Sequence, residues 1–151
     1  MTMRMRQVEN PQPDPPAQQI LALCVPALDC ITPDILTSVS DALRANGFES
    51  ACDDVQIALA EALNNIVEHA YAGQTKGAMN VVVSASTKHL DFCLTDWGQA
   101  LPGEQLPDAD LPDACDLAEG GYGWFLIQKL MTEVQYARTA HSNRLHLRLS
   151  L

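Results

Sequence analysis

Residues 61–73 read EALNNIVEHAYAG, and the polar side chains in this run can do chemistry that packing alone does not need. Glu61, Asn65 and Glu68 stand at i, i+4 and i+7, a spacing that gathers them on one side of a helix. A carboxylate one turn from a carboxamide can take the proton of a reacting hydroxyl while the amide oxygen ligates a hard cation. The same stripe would equally serve as a solvated helix face, and His69 as a structural residue at the helix end. Two further stretches carry residue types suited to a bound anion. TDWGQA sets Asp96 at the end of a strand, followed by Gly98. EGGYGWFLIQKLM sets Gly120, Gly121 and Gly123 at the start of a helix. Glycines there let the backbone approach a phosphate, and the helix start offers free N–H groups to it. Either stretch alone would also read as an ordinary turn. The chain has no GxxxxGK[ST], which excludes a P-loop. Its GxG lacks the early strand and the ribose-binding acid of a Rossmann unit.

Elements that can position these residues follow from periodicity and punctuation. QQILALCV predicts a first strand. TPDILTSVSDALRANG predicts a helix with Thr32 as N-cap, Pro33 at its first position and Gly47 as its stop. Ser50 and Asp53 have the spacing of a capping box for a second helix running to about residue 70. At 100° per residue, Val55, Leu59, Ala62, Leu63, Ile66 and Ala70 fall on its apolar side. MNVVVSAS and HLDFCLTDW predict strands, the second alternating at Leu90, Phe92 and Leu94. Residues 98–120 predict a long loop, and such a loop in a small domain is usually functional. YGWFLIQKLM predicts a short helix. EVQYART and NRLHLRLSL predict a closing hairpin with Leu145, Leu147 and Leu149 on one face.

Composition narrows the functional classes. The 151 residues suit one domain with a single core, assigned to residues 18–151, after a Pro- and Gln-rich segment 1–17 expected to be disordered. A formal charge of -10 argues against direct nucleic-acid binding, which needs clustered Lys and Arg. No run approaches a membrane span, and the basic N-terminus has no apolar stretch behind it, so it is not a secretory signal. Five cysteines without CxxC spacing fit reduced thiols in the cytoplasm and not a zinc site.

Taken together and in this order, the three segments resemble the boxes of GHKL-type ATP-binding domains, and most of all those of the anti-sigma factor serine/threonine kinases. ALAEALNNIVEHAY is similar to their N box, LTDWGQA to the first glycine box and GGYGWFLIQKLMTEV to the second. The resemblance implies an α+β Bergerat fold, a two-layer sandwich of a mixed, mainly antiparallel sheet with helices on one face. It implies ATP and Mg²⁺ as ligands, with Glu61 as general base and Asn65 as metal ligand. Asp96 would accept a hydrogen bond from the adenine amino group, and Gly98 would let the base approach the backbone. Gly121 and Gly123 would cradle phosphates under a lid of residues 99–120. The implied partners are a sigma factor and an anti-anti-sigma protein of STAS type, with the kinase itself a homodimer through elements away from the nucleotide; in this sequence the apolar first strand and the first helix are the candidate surface.

Two departures from the family pattern bear on activity. Ala100 replaces the last glycine of the first box. Residues 97–128 contain six acids and no Lys, Arg or His, where related kinases carry an arginine before the second glycine box. Acidic side chains repel a polyphosphate unless a metal ion or a partner's basic residue compensates. Metal-dependent nucleotide binding is therefore expected, and the glycine and proline content with few apolar anchors predicts a lid that is mobile without ligand. The alternative is a non-catalytic binding module that switches partners and binds ATP weakly or not at all.

Overall fold

In a computed structural model of the protein, the described residues are 15–72, 74, 76–108 and 122–151. The segment expected to be disordered lies outside them, apart from residues 15–17, which form no element. Eight principal elements follow one another. They are β1 (Gln18–Pro26), α1 (Thr32–Ala45), α2 (Cys52–Asn65), β2 (Ala78–Ala85), β3 (His89–Asp96), α3 (Tyr122–Leu130), β4 (Glu133–Arg138) and β5 (Asn143–Ser150). The strands form one sheet of order β1-β2-β3-β5-β4. Every pairing among them is antiparallel, so the parallel component of the expected mixed sheet is absent among the described residues.

Alternation decides which sheet face is covered. Met79, Val81, Val83, Leu90, Phe92, Leu94, Leu145 and Leu147 are buried, while their neighbours in sequence face the other way. Against this face lie Ile35, Val39 and Leu43 of α1, Val55, Leu59, Ala62 and Leu63 of α2, and Ile127 of α3. The result is two layers around one core. Register links the apolar positions into cross-strand rows, such as Val83, Phe92, Leu147 and Val134. The next row but one toward the end of the sheet is Met79, Asp96, Asn143 and Arg138. The same alternation that fills the core thus carries three polar side chains onto the helix-facing side.

The helix ends differ in part from expectation. Gly47 stops α1 with φ 84°, Phe48 N donates to Leu43 O at 2.8 Å and Gly47 N to Arg44 O at 3.1 Å, a Schellman closure. Thr32 is not the N-cap, and its buried Oγ1 has no hydrogen bond among the described residues. The capping box of Ser50 and Asp53 is not formed either. The reason is common to both. A 3₁₀ turn, Asp29–Ile31 or Glu49–Ala51, runs straight into each helix, so the flanking residue already has helical angles. A cap side chain needs an extended residue at that point. Helix α2 also ends earlier than residue 70. It passes into a π turn, Ile66–Ala70, in which Tyr71 N reaches back five residues to Ile66 O at 3.1 Å.

The outer face of the sheet is polar. Arg148 Nε and His146 Nε2 each lie 2.8 Å from Asp91 Oδ1, and His89 Nε2 lies 3.1 Å from Oδ2. Burial works to raise the Asp91 carboxyl, but the Arg148 and His146 partners outweigh it and hold it below the usual range. No helix among the described residues is long and apolar enough to cross a membrane.

Phe92 is the largest fully buried side chain and stands mid-row in the sheet. Phe92→Ala should cost about 3–5 kcal/mol, read as a lowered midpoint of urea denaturation with little change in slope.

Candidate functional site

A cavity of about 530 Å³ opens where the end of α2 meets the end of the sheet. Ala62, Asn65, Ile66 and His69 form the wall from α2 and its π turn, and Trp124 closes one side from α3. Asp96, Tyr136, Asn143 and Leu145 supply the sheet wall, and Leu101, Pro102 and Pro107 a third side. Most of this lining is apolar, with a few converging polar groups, the make-up of a small-molecule site.

Asp96 is 4% exposed. Its Oδ1 accepts from Gly98 N at 2.9 Å and from Asn143 Nδ2 at 2.8 Å. Among the described residues nothing engages Oδ2. Burial pushes this carboxyl above the usual carboxylate range, against the opposing pull of Asn143, Gly98 and Arg138. Asn143 is equally buried and ties the neighbourhood together. Its Nδ2 also donates to Gln99 O at 2.8 Å, and its Oδ1 accepts from Tyr136 Oη at 2.6 Å and Arg138 Nη1 at 3.0 Å. Arg138 Nη1 also donates to Gly98 O at 2.9 Å, and Leu101 N to Tyr136 Oη at 3.0 Å.

Gly98 sits where a side chain cannot. A Cβ there would lie 2.3 Å from the Ala70 carbonyl oxygen, and Gln99 N donates to that same oxygen at 2.7 Å. The strand end is therefore docked on the π turn, a reason for glycine distinct from approach to a base. Tyr71 braces the same junction. Its hydroxyl donates to Ala78 O at 2.5 Å and accepts from Trp97 N at 2.9 Å. A Cβ on Gly77 would meet the Tyr71 ring at 2.6 Å.

Asn65 and Glu61 do not share one environment. Asn65 lines the cavity, and its buried Nδ2 has no partner among the described residues. An orphaned amide of this kind suits a ligand that arrives from the cavity, with Oδ1 free to hold a hard cation. No group of three or more His, Cys, Asp or Glu that could cage a metal occurs among the described residues. A Mg²⁺ ion held by one side chain and by the substrate's phosphates fits that donor set. Glu61 lies off the cavity, with Oε2 2.6 Å from where a Cβ on Gly123 would be. Gly123 is in the first turn of α3, so its missing side chain lets the carboxylate rest against a helix start. Glu68 and His69 are exposed and line the cavity. Gly121 lies outside the described residues.

The expected lid is described over residues 99–108. There it is held by Asn143 at Gln99, by Tyr136 at Leu101, by Gln128 Nε2 donating to Pro107 O at 2.9 Å, and by Leu106 packed on the core. Over this part the anchors are chiefly hydrogen bonds, with Leu106 the one apolar side chain among those named. Asn143, Tyr136 and Arg138 were not singled out from the sequence. Their signal was there, because Asn143 continues the alternation of Leu149, Leu147 and Leu145, and Arg138 that of Val134 and Tyr136.

Comparison with known proteins agrees with this architecture. The model of the histidine kinase-like ATPase domain matches residues 26–149. The chain belongs to that family. It is 29% identical over 104 residues to the serine-protein kinase RsbW of Oceanobacillus iheyensis, covering 65% of this chain and 66% of the relative. It is 34% identical over 88 residues to RsbW of Halalkalibacterium halodurans, covering 55% and 53%. The matched stretches thus span between half and two thirds of these relatives' lengths. The fold is also similar to that of about a third of the structure of the RsbU and RsbW domains of Rv1364c from Mycobacterium tuberculosis, with a TM-score of 0.62 at 19% identity, covering 85% of this chain and 31% of that one.

The raised Asp96 carboxyl has a consequence for stability. An ionised carboxylate buried here costs free energy at any pH above its folded-state value, and that cost disappears as acidification protonates it. Asp96→Asn, which keeps the Oδ1 contacts, should melt higher than the unaltered protein at pH 7. The gap should close as pH falls toward the ordinary aspartate range, measured by thermal scans across pH.

Proposed function

We propose that the protein is an anti-sigma regulatory factor with serine/threonine protein kinase activity, working in the cytoplasm through residues 18–151 as one domain. In this reading it binds Mg-ATP and phosphorylates an anti-anti-sigma partner of STAS type, releasing or capturing a sigma factor according to which partner it holds. It acts as a homodimer. The family and the likeness to RsbW kinases support the class. The observation that carries the reading is the buried Asp96 carboxylate facing an apolar cavity that also holds the unpartnered amide of Asn65.

Each residue then has a task. Asp96 Oδ2 accepts from the amino group of adenine, while Ile66, Leu101 and Trp124 exclude water around the base. Asn65 Oδ1 holds the metal. Bound Mg²⁺ offsets phosphate charge during transfer. Glu61, beside the first turn of α3, takes the proton from the attacking serine hydroxyl, so that the oxygen bonds to phosphorus as the bridging bond to the diphosphate breaks. The first turn of α3 turns its N–H groups toward the transferred group.

Two observations favour a second reading, a nucleotide-binding partner switch without transfer. Glu61 rests off the cavity, and residues 97–128 carry six acids and no Lys, Arg or His.

Transfer of radiolabel from Mg-ATP to the cognate STAS-type partner separates the two. Glu61→Ala should lose on the order of 10²-fold or more in transfer rate while retaining nucleotide. Gly123→Ala should push the Glu61 carboxylate aside and lose transfer too, with stability unchanged or raised by up to about 1 kcal/mol. Unchanged transfer in Glu61→Ala would sink the base assignment. Absence of transfer in the unaltered protein would favour the switch.

Calorimetric titration addresses the metal. ATP should bind much more weakly in EDTA than with Mg²⁺, because the six acids of residues 97–128 then repel phosphate charge that no cation held by Asn65 offsets. Equal affinity in both would remove Asn65 as metal ligand.

A further inference from the structure

All four hydrogen-bonding positions of the Asn143 amide are taken, and the set fixes which way it faces. Arg138 can only donate, so the amide atom 3.0 Å from its Nη1 is the oxygen. Tyr136 donates to that oxygen at 2.6 Å while its own oxygen accepts from Leu101 N. The amide nitrogen must then face Asp96 Oδ1 and Gln99 O. Gly98 N–H reaches the same Oδ1. With two donors on Oδ1, a proton on this carboxyl can sit only on Oδ2, the oxygen that no described residue engages.

We infer that Asn143, clamped by Tyr136 and Arg138, is a positioning residue that sets base selectivity, holding Asp96 Oδ2 toward the cavity as a bare acceptor matched to a 6-aminopurine and mismatched to a 6-oxopurine. The inference rests on the nucleotide reading above and adds how the base is chosen. A 6-aminopurine offers an N–H to Oδ2. A 6-oxopurine sets a carbonyl oxygen against it, and two acceptors facing each other in a dry site are left unpaired. The clamp also joins selectivity to the root of the lid, since the same side chains hold Gly98, Gln99 and Leu101. The charged and titratable groups around Oδ2 are Arg138 and Tyr136 from β4, and Glu68 and His69 from the opposite cavity wall. Acid that protonates Oδ2 converts the acceptor into a donor and should erase the preference.

Calorimetric binding of Mg-ATP and Mg-ITP to the intact protein, across pH, tests this. The two ligands share phosphates and metal, so their affinity ratio isolates the base. The unaltered protein should prefer ATP by roughly tenfold or more near pH 7, and the ratio should fall on acidification. Asn143→Leu should lower ATP affinity with little change for ITP. Because Asn143 helps keep Asp96 ionised, the pH at which any remaining preference fades should move upward. Tyr136→Phe removes one hydroxyl and should shift both readouts in the same direction by a few-fold. It decides the matter if Asn143→Leu fails to fold by circular dichroism. Equal losses for ATP and ITP, or an unaltered ratio in Tyr136→Phe, would overturn the inference and leave nucleotide binding intact. An unaltered protein that binds both alike would do the same, and one that binds neither overturns the nucleotide reading together with this inference.

Discussion

A carboxylate taken out of water must be surrounded by donors or it will not stay charged. Asp96 is in that position, and much of the surrounding structure answers to it. Gly98 N–H and the Asn143 amide supply the donors. Asn143 can do so only because Tyr136 and Arg138 hold its oxygen. Arg138 in turn brings the positive charge that partly offsets the cost of burial. The chain after β3 has little choice of path, since three of its backbone groups are claimed by the same hairpin. A site that reads a ligand with one oxygen atom needs this rigidity, because an acceptor that can rotate reads nothing.

The arrangement uses the sheet economically. One alternation, carried along each strand, buries leucine, valine and phenylalanine over most of its length and then delivers Asp96, Asn143 and Arg138 in register at one end. The apolar rows keep these polar groups dry without a separate shell. Tyr136 sits one row inward, with its ring packed on the core and its hydroxyl in the network. Core and site are therefore two ends of one packed face.

The strands, the apolar side of α2 and the Schellman stop at Gly47 were legible because each rests on local periodicity or a local backbone need. Asp96 and Asn65 were legible through resemblance, and the structure brings both to one cavity. The start of each of the first two helices was misread, since a preceding 3₁₀ turn leaves the same residue types in sequence but removes the extended position a cap requires. Asn143 and Arg138 went unnoticed because a polar residue that continues an apolar alternation reads as the end of the strand. Its role depends on a neighbour far away in sequence, which periodicity does not contain. Glu61 and Asn65 were assigned to one stripe by spacing. Their separation into a helix contact and a cavity wall depends on where α3 lies, and that too is a tertiary fact.

The π turn after α2 holds one residue more than a regular turn of that helix would. Everything beyond it is rotated by about one residue's worth of helical angle, roughly 100°, relative to the run that carries Glu61 and Asn65. That offset aims the Ala70 carbonyl at Gly98 and Gln99 while Asn65 still faces the cavity. Removing any one of the five residues would leave the chemistry of the segment nearly intact and straighten the helix. The docking half would then swing away from the strand it holds. What selection must preserve here is a count of residues, so substitutions in this stretch should be far better tolerated than a single deletion.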